Sequence, residues 1–217
     1  MDPFSAQYWW DRLKNCRESL QENAFEAFIA EDRVQARNIV LEEIIPTTGA
    51  KSASWGDSMT LHATGILNAL PTYPGLSIVK TFEGGVPSAE IIERRRQALL
   101  VDFFITGTNA LTECGKLVNL DMVGNRVAAI AFGPKTVVIL VGRNKIVPDI
   151  AGAMSRISDY AAPINAIRHE FKTPCAATSR CADCKSPQRL CNTWTITERS
   201  FPKGRIKVIL INEELGL

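Results

Sequence analysis

The sequence has no long apolar run and no strong excess of charge of one sign. Its longest purely apolar stretches, such as Val127–Phe132 and Val137–Val141, reach about a third of the length that spans a membrane. The first residues lack a basic segment followed by an apolar one, so we expect no secretory signal. The net charge is only +2, which excludes a strongly basic nucleic-acid binder. We therefore expect a cytoplasmic protein with no nucleic-acid or membrane partner.

The common nucleotide-binding motifs and histidine clusters are also missing. Neither G-x-G-x-x-G nor a Walker P-loop occurs. Only two histidines, His62 and His169, are present. Two histidines offer few residues from which to build a histidine-based metal centre or a serine–histidine triad.

What is present is an ordinary globular composition, with 46% hydrophobic and 22% charged residues. A chain of this size buries enough surface to fold without disulfides. We expect one domain over residues 1–217, beginning with two helices within residues 5–45. Strands alternating with helices follow, which predicts an α/β fold with a mostly parallel central sheet flanked by helices. The predicted strands of this part and of the C-terminal part are Lys51–Trp55, Ser77–Thr81, Leu100–Thr106, Thr136–Val141, Thr193–Glu198 and Ile206–Ile211.

Four of the six cysteines lie in one segment, residues 172–192. Cys175, Cys181, Cys184 and Cys191 are spaced C-x5-C-x2-C-x6-C. In a reducing compartment, thiols this close are more often metal ligands than disulfide partners. The irregular spacing suits a [4Fe–4S] cluster better than structural zinc, which usually takes two close pairs. The segment thus favours an iron–sulfur cluster, with zinc or no metal as the alternatives.

Two strand-to-helix turns, SWGDS (54–58) and TGTN (106–109), are candidate anion sites. Both follow predicted parallel strands, so both should open at the same edge of the sheet, where α/β proteins bind ligands. Free backbone N–H groups and hydroxyls there would hold a phosphate or carboxylate, and the turn GNR would close the site with paired arginine donors. Simple helix capping is the alternative. The candidate ligand-binding residues are Ser54, Gly56, Ser58, Thr106, Gly107, Thr108, Asn109, Asn125 and Arg126.

Glu113 is the candidate catalytic residue. It follows TGTN by four residues and stands beside a glycine turn, where a carboxylate can serve as a general base or nucleophile. We expect it beside Ser58 and Thr106, facing the reactive carbon of the ligand. The alternative is a solvated loop residue.

Three segments resemble the LUD (lactate-utilisation) domain family in its stand-alone bacterial members. They are TGTNALTE, GNRVAA and the four-cysteine loop, and the similarity extends over roughly residues 10–217. The resemblance implies a fold similar to ribose-5-phosphate isomerase and the CoA-transferases, and a role in lactate or organic-acid metabolism. Thr112-Glu113-Cys114-Gly115 also resembles the Ser-Glu-Asn-Gly motif that carries the CoA-transferase nucleophile, but keeps only its Glu and Gly.

Three kinds of function follow from these observations. The first is an enzyme or enzyme subunit acting on a small organic acid, a phosphosugar or an acyl-CoA. The second is an iron–sulfur electron-transfer or accessory protein that docks a redox partner protein. The third is a domain with structural zinc. A small anionic metabolite or a redox protein is the expected partner, and the chain is compatible with a homo-oligomer.

We predict that Cys184→Ser lowers both the metal content and the melting temperature. The free energy of binding a metal that anchors the chain is part of the free energy of folding. Iron, zinc and sulfide analysis of anaerobically purified protein, with a thermal melt, measures both effects. A variant with unchanged metal content and an unchanged melting temperature would contradict a metal site in this loop.

Overall fold

The computed structural model describes residues 2–217 and has a six-stranded parallel sheet between helices, joined to a smaller four-stranded sheet. Its strands were predicted correctly in most places, although several are shorter than expected. In chain order the strands of these residues are β1 (Glu26–Ala30), β2 (Ser52–Trp55), β3 (Ser77–Ile78), β4 (Phe103–Gly107), β5 (Ala110–Thr112), β6 (Leu117–Asp121), β7 (Thr136–Gly142), β8 (Ile146–Val147), β9 (Thr193–Thr197) and β10 (Ile206–Ile211).

The helices of the same residues are mostly short. No helix among them is both long enough and apolar enough to cross a bilayer. Two π-helical segments, Ile39–Ile44 and Ile157–Ala161, join consecutive α-helices into longer rods. The α-helices are α1 (Pro3–Glu22), α2 (Arg33–Asn38), α3 (Ile45–Thr48), α4 (Met59–Thr64), α5 (Ile66–Ala69), α6 (Ser88–Gln97), α7 (Asn125–Ala131), α8 (Ile150–Arg156), α9 (Ala162–Arg168) and α10 (Pro174–Thr178).

The central sheet has the order β1-β10-β7-β4-β2-β3, and all its strand pairs are parallel. The strands β7 and β10 lie inside it and are buried on both faces, as their nearly continuous apolar sequences predict. Alternate residues therefore enter opposite cores: Val137 and Ile139 face one layer, and Val138 and Leu140 face the other. The expected mostly parallel sheet flanked by helices is confirmed.

The two helix layers are formed by helices from different parts of the sequence. One layer is built by α1 and α7, which bury Leu13, Leu20 and Ile130 against the sheet. The other is built by the helices between β1 and β3, which bury Val40 and Leu61 against the opposite face. Each layer thus closes one of the two cores.

The prediction that helices fill residues 5–45 is wrong for residues 26–30. Helix α1 ends at Asn23, and Ala24 takes a left-handed backbone conformation that redirects the chain. The following strand β1 pairs with β10 from Glu26–Lys207 to Ala30–Ile211. Its apolar residues fit a helical stripe as well as a buried strand, and the exposed hydrogen-bonding edge of β10 decides between the two.

The second sheet has the order β8-β5-β6-β9 and was not foreseen as a separate unit. The two C-terminal strands β9 and β10, both predicted from the sequence, enter different sheets. β9 pairs antiparallel with β6, whereas β10 lies in the central sheet. The rod α8–α9 covers the second sheet through a small core that includes Val118, Leu120 and Ile157.

We predict that Phe104→Ala costs about 3–5 kcal/mol of unfolding free energy. Phe104 is 1% exposed in the middle of β4, so removing its ring leaves a cavity in a core that cannot collapse around it. Phe132→Ala is the matched control, because Phe132 is 85% exposed. Urea denaturation of both variants checks the difference. Equal losses would contradict the placement of β4 in the core.

Candidate functional site

A cleft of about 490 Å³ opens at the carboxyl edge of the central sheet. It lies where β2, β4 and β7 end, because these strands are neighbours and run in parallel. The turn after β2 and the turn after β4 meet there. Gly107 packs so closely on Ser58 that a Cβ at residue 107 would collide with the Ser58 hydroxyl. The structure thus brings together the two turns that the sequence singled out.

Most of the predicted ligand-binding residues line this cleft, and three lie behind it. Ser54 is fully buried and donates a hydrogen bond to Val79 O at 2.8 Å. Thr106 is also buried, and a Cβ added to Gly56 would stand 2.8 Å from its hydroxyl. Ser54, Gly56 and Thr106 thus lie behind the wall of the cleft and offer no surface to a ligand. The predicted residues that line the cleft are Ser58, Gly107, Thr108, Asn109, Asn125 and Arg126.

Arg126 uses all five of its N–H groups inside the protein. Its Nε donates to Asp121 Oδ1 at 2.9 Å. Nη1 donates to Gly107 O and Asn119 Oδ1, at 3.1 and 2.7 Å. Nη2 donates to Asn109 Oδ1 and Leu120 O, at 2.7 and 3.1 Å. The acceptors come from both sheets, so this guanidinium ties them together at the cleft.

These bonds change the role expected of Arg126. Paired donors for a ligand carboxylate were predicted, but every donor already has an acceptor in the protein. The side chains of Arg126 and Asp121 are only 10% and 11% exposed. Arg126 therefore fixes the shape of the cleft, and an anionic ligand must find its cation elsewhere.

A polar cluster around Asp57 forms one rim of the cleft. Asp57 accepts a hydrogen bond from Arg168 Nη2, and its other oxygen lies 3.3 Å from His62 Nε2. Burial alone would raise the pKa of Asp57, but the hydrogen bond and charge of Arg168, together with the contact to His62, outweigh it and hold that pKa below its usual value. His169 stacks on Phe171, and burial together with the adjacent Arg168 lowers the pKa of His169. At neutral pH the rim therefore presents a paired carboxylate and a neutral imidazole.

Two cations of the cleft were not foreseen, Arg95 and Lys145. Neither forms an ion pair within residues 2–217. Arg95 stands over the Phe82 ring at 5.3 Å, and its buried Nε has no hydrogen-bond partner. Burial lowers the pKa of Arg95, and the negative charges of Asp121 and Asp57 oppose this shift.

Lys145 is the more deeply placed of the two. It is 4% exposed and follows β7 in a short turn at the carboxyl edge of the sheet. Its Nζ donates to Thr108 O at 3.1 Å. Burial, reinforced by Arg156 and Arg126, lowers the pKa of Lys145 to about 7. The sequence signal for Lys145 was its position just after the buried strand TVVILV. Residues that follow parallel strands lie at the same edge of the sheet, which is the argument that selected the other two turns.

Glu113 does not line the cleft. Its backbone N–H donates to Val147 O at 2.9 Å, and its carboxylate pairs with Arg12 of α1 at 2.9 Å. Strand β5 separates it from Asn109, and extended chain advances about 3.3 Å per residue. The carboxylate therefore lies against α1 and not beside Ser58 and Thr106 as predicted.

The four predicted metal-ligating cysteines line a second, smaller cavity of about 20 Å³. Burial raises the pKa of Cys191, and the nearby sulfurs of Cys181, Cys175 and Cys184 raise it further, while Arg189 opposes them. All four thiols are free. Within residues 2–217, however, no three histidine, cysteine, aspartate or glutamate side chains are arranged to hold a metal ion.

The cysteine cavity and the cleft share part of their walls. Ala162 at the start of α9 and Leu190 beside Cys191 line both. The segment that links them, from Arg168 to Phe171, contributes to the rim of the cleft. The two cavities are therefore adjacent, and the central sheet does not separate them.

Together these features define an α/β protein with a polar cleft at the carboxyl edge of a parallel sheet and a cysteine-lined cavity beside it. The model of the LUD domain family matches residues 13–211, and the chain belongs to that family, which is linked to lactate utilisation. No curated protein matches the sequence.

The fold has a relative among solved structures. A DUF162 family protein from Deinococcus radiodurans superposes with a TM-score of 0.52 at 11% sequence identity. The superposition covers 94% of this chain and 98% of the relative. At this identity the likeness concerns the fold alone.

We predict that Arg126→Met costs about 3–5 kcal/mol of unfolding free energy, because it leaves the buried Asp121 carboxylate without its cation. Arg96→Met is the control, since the Arg96 side chain is 75% exposed. Its loss should stay within about 0.5 kcal/mol. Denaturant titration of the two variants measures the difference. A mild effect of Arg126→Met would mean that the cleft does not depend on this guanidinium.

Proposed function

We propose that this protein binds a small organic acid of the lactate or pyruvate type in its cleft and carries a [4Fe–4S] cluster on the neighbouring cysteine loop. Its setting is the cytoplasm, where the six free thiols stay reduced. It serves organic-acid oxidation as an enzyme or an enzyme subunit, and a redox protein exchanges electrons with the cluster. A homo-oligomer is compatible with this role.

The unbalanced charge of the cleft is the observation that supports an anionic ligand. Its two carboxylates, Asp57 and Asp121, are each held by an arginine, Arg168 and Arg126. The remaining cation pair, Arg95 and Lys145, has no carboxylate partner in residues 2–217. Arg95 is partly buried without a counter-ion among these residues, which is costly, and a carboxylate entering the cleft would lower that cost.

The chain's own residues supply what binding such an acid requires. Arg95 carries a fork of donors that suits a carboxylate, with Phe82 holding its guanidinium plane from one side. Asp57 fixes Arg168, and the neutral His169 beside them can accept or return a proton at the ligand hydroxyl. Phe171 and Leu190 provide apolar wall that excludes water.

The cysteine loop fits the proposed cluster in its chemistry. Four thiols from one loop are the donor set of a [4Fe–4S] centre, which supplies one-electron transfer when bound. Arg189 beside them would offset part of the negative charge of four thiolates. Apart from α10, residues 172–192 contain no helix or strand, so the loop can widen around a cluster.

A single zinc ion is the second candidate for this loop. The cavity between the thiols, about 20 Å³, has the size of one ion rather than a cube of eight atoms. A zinc site would make the loop structural and leave the cleft as a separate binding site. Metal and sulfide analysis distinguishes the two candidates, as does an absorption band that dithionite bleaches.

We predict that Arg95→Met weakens pyruvate and lactate binding by about tenfold to a hundredfold, the value of one charge-assisted hydrogen-bonding group. Isothermal titration calorimetry measures the affinity. Arg96→Met, the next residue of α6 but exposed, should bind like the unaltered protein. If neither acid binds the unaltered protein, or if Arg95→Met binds as well as it does, the proposed cleft ligand is wrong.

A further inference from the structure

Lys145 is a buried amine that the described protein does not use fully. An ammonium group has three donors, and Nζ places one of them, on Thr108 O. A Cβ added to Gly216 would collide with the Thr60 hydroxyl and stand 3.1 Å from Nζ, so the space beside the amine admits no side chain at that position. A lysine that only filled space at the carboxyl edge of the sheet would not require an ionisable amine buried this deeply.

The charged groups that face Lys145 are cations from two different helices. Arg126 comes from α7 and is bound by its own acceptors, as described above. Arg156 comes from α8 and donates to Asn144 O and Asn109 O at 3.1 and 2.7 Å. Both arginines are thus fixed in place and disfavour a third positive charge. The same arrangement, burial beside other cations, is how proteins turn a lysine into a nucleophile.

We infer that Lys145 is a nucleophilic amine that forms a Schiff base with the carbonyl group of a 2-oxo acid bound in the cleft. The inference rests on the proposed function, because the acid's carboxylate has to be held by the cleft while its neighbouring carbonyl meets Nζ. It goes further in assigning a covalent step and in choosing the 2-oxo acid over the 2-hydroxy acid as its substrate.

The step is balanced without any oxidant or reductant. The lone pair of the neutral Nζ attacks the carbonyl carbon and forms the C–N bond, while the carbonyl π electrons move to oxygen. The oxygen takes the proton that nitrogen releases, giving a carbinolamine. Loss of that oxygen as water leaves the C=N bond between Lys145 and the substrate carbon.

The pH dependence has a definite direction. Since the pKa of Lys145 is lowered to about 7, the reactive neutral amine increases as pH rises through 7. Lys116 is the matched surface lysine: its hydrogen bond to Glu198, at 2.6 Å, raises its pKa. At pH 7.5 Lys116 is almost entirely ammonium, so it should react at least about a hundredfold more slowly.

Pyruvate with sodium borohydride tests the inference directly. Borohydride reduces a Schiff base to a stable secondary amine, which peptide mass spectrometry locates on a single lysine. We expect the adduct on Lys145, half-maximal near pH 7, and at most traces on Lys116. The variant Lys145→Met should show no adduct at any other lysine above the background of the unaltered protein.

The outcomes separate this inference from the proposed function. Pyruvate that binds by calorimetry but gives no adduct, or adducts spread evenly over surface lysines, overturns the role of Lys145 and leaves the binding cleft standing. Absence of pyruvate binding overturns both.

A stability measurement distinguishes a Lys145→Met variant that has lost only the reactive amine from one that has misfolded. The lowered pKa means that the unfolded chain binds one more proton than the native chain between about pH 7 and 10.5, so the native protein gains stability as pH rises across that range. Lys145→Met lacks this gain and should show a flatter profile. Identical pH profiles for the two proteins would contradict the buried, largely neutral amine.

Discussion

The guanidinium of Arg126 is the constraint on which the cleft depends. Its five bonds reach the last residue of β4, the turn after it and three consecutive residues at the end of β6. The glycine of the first turn follows in part from it, since a Cβ at Gly56 would stand 2.9 Å from the Arg126 side chain and 2.8 Å from the Thr106 hydroxyl. Because every N–H donor of Arg126 bonds to the protein, a ligand has to bind to other side chains of the cleft. Over residues 2–217, the cationic side chains left without a carboxylate partner there are Arg95 and Lys145.

The fold was predictable where one signal dominated. Continuous apolar runs identified β4, β7 and β10, and the alternation of strands with helices identified the parallel sheet. The first strand was missed because Phe25, Phe28 and Ile29 satisfy both a helical and a strand pattern. Only pairing with β10, which is 180 residues away in sequence, decides that segment, and no local pattern carries this information.

The position of the cleft was predictable from the sequence, but the pairing of its charged side chains was not. Two turns after parallel strands indicated the edge of the sheet at which the cleft lies, and the same rule applied to β7 would have added Lys145. Glu113 was misplaced because its distance along the chain was short, while β5 leads it away toward α1. The roles of Arg126 and Arg95 depend on which carboxylates each one meets in three dimensions, and spacing along the chain does not record this.

The adjacency of Leu190 and Cys191 joins two cavities through a single peptide bond. Leu190 lines both the cleft and the cysteine cavity, and Cys191 lines the cysteine cavity, so the two cavities share part of a wall. By thermodynamic linkage, a metal that ordered the thiols and moved Leu190 would change the affinity of the cleft for a ligand, and that ligand would change the affinity of the thiols for the metal by the same factor. Such coupling would need no movement of the central sheet.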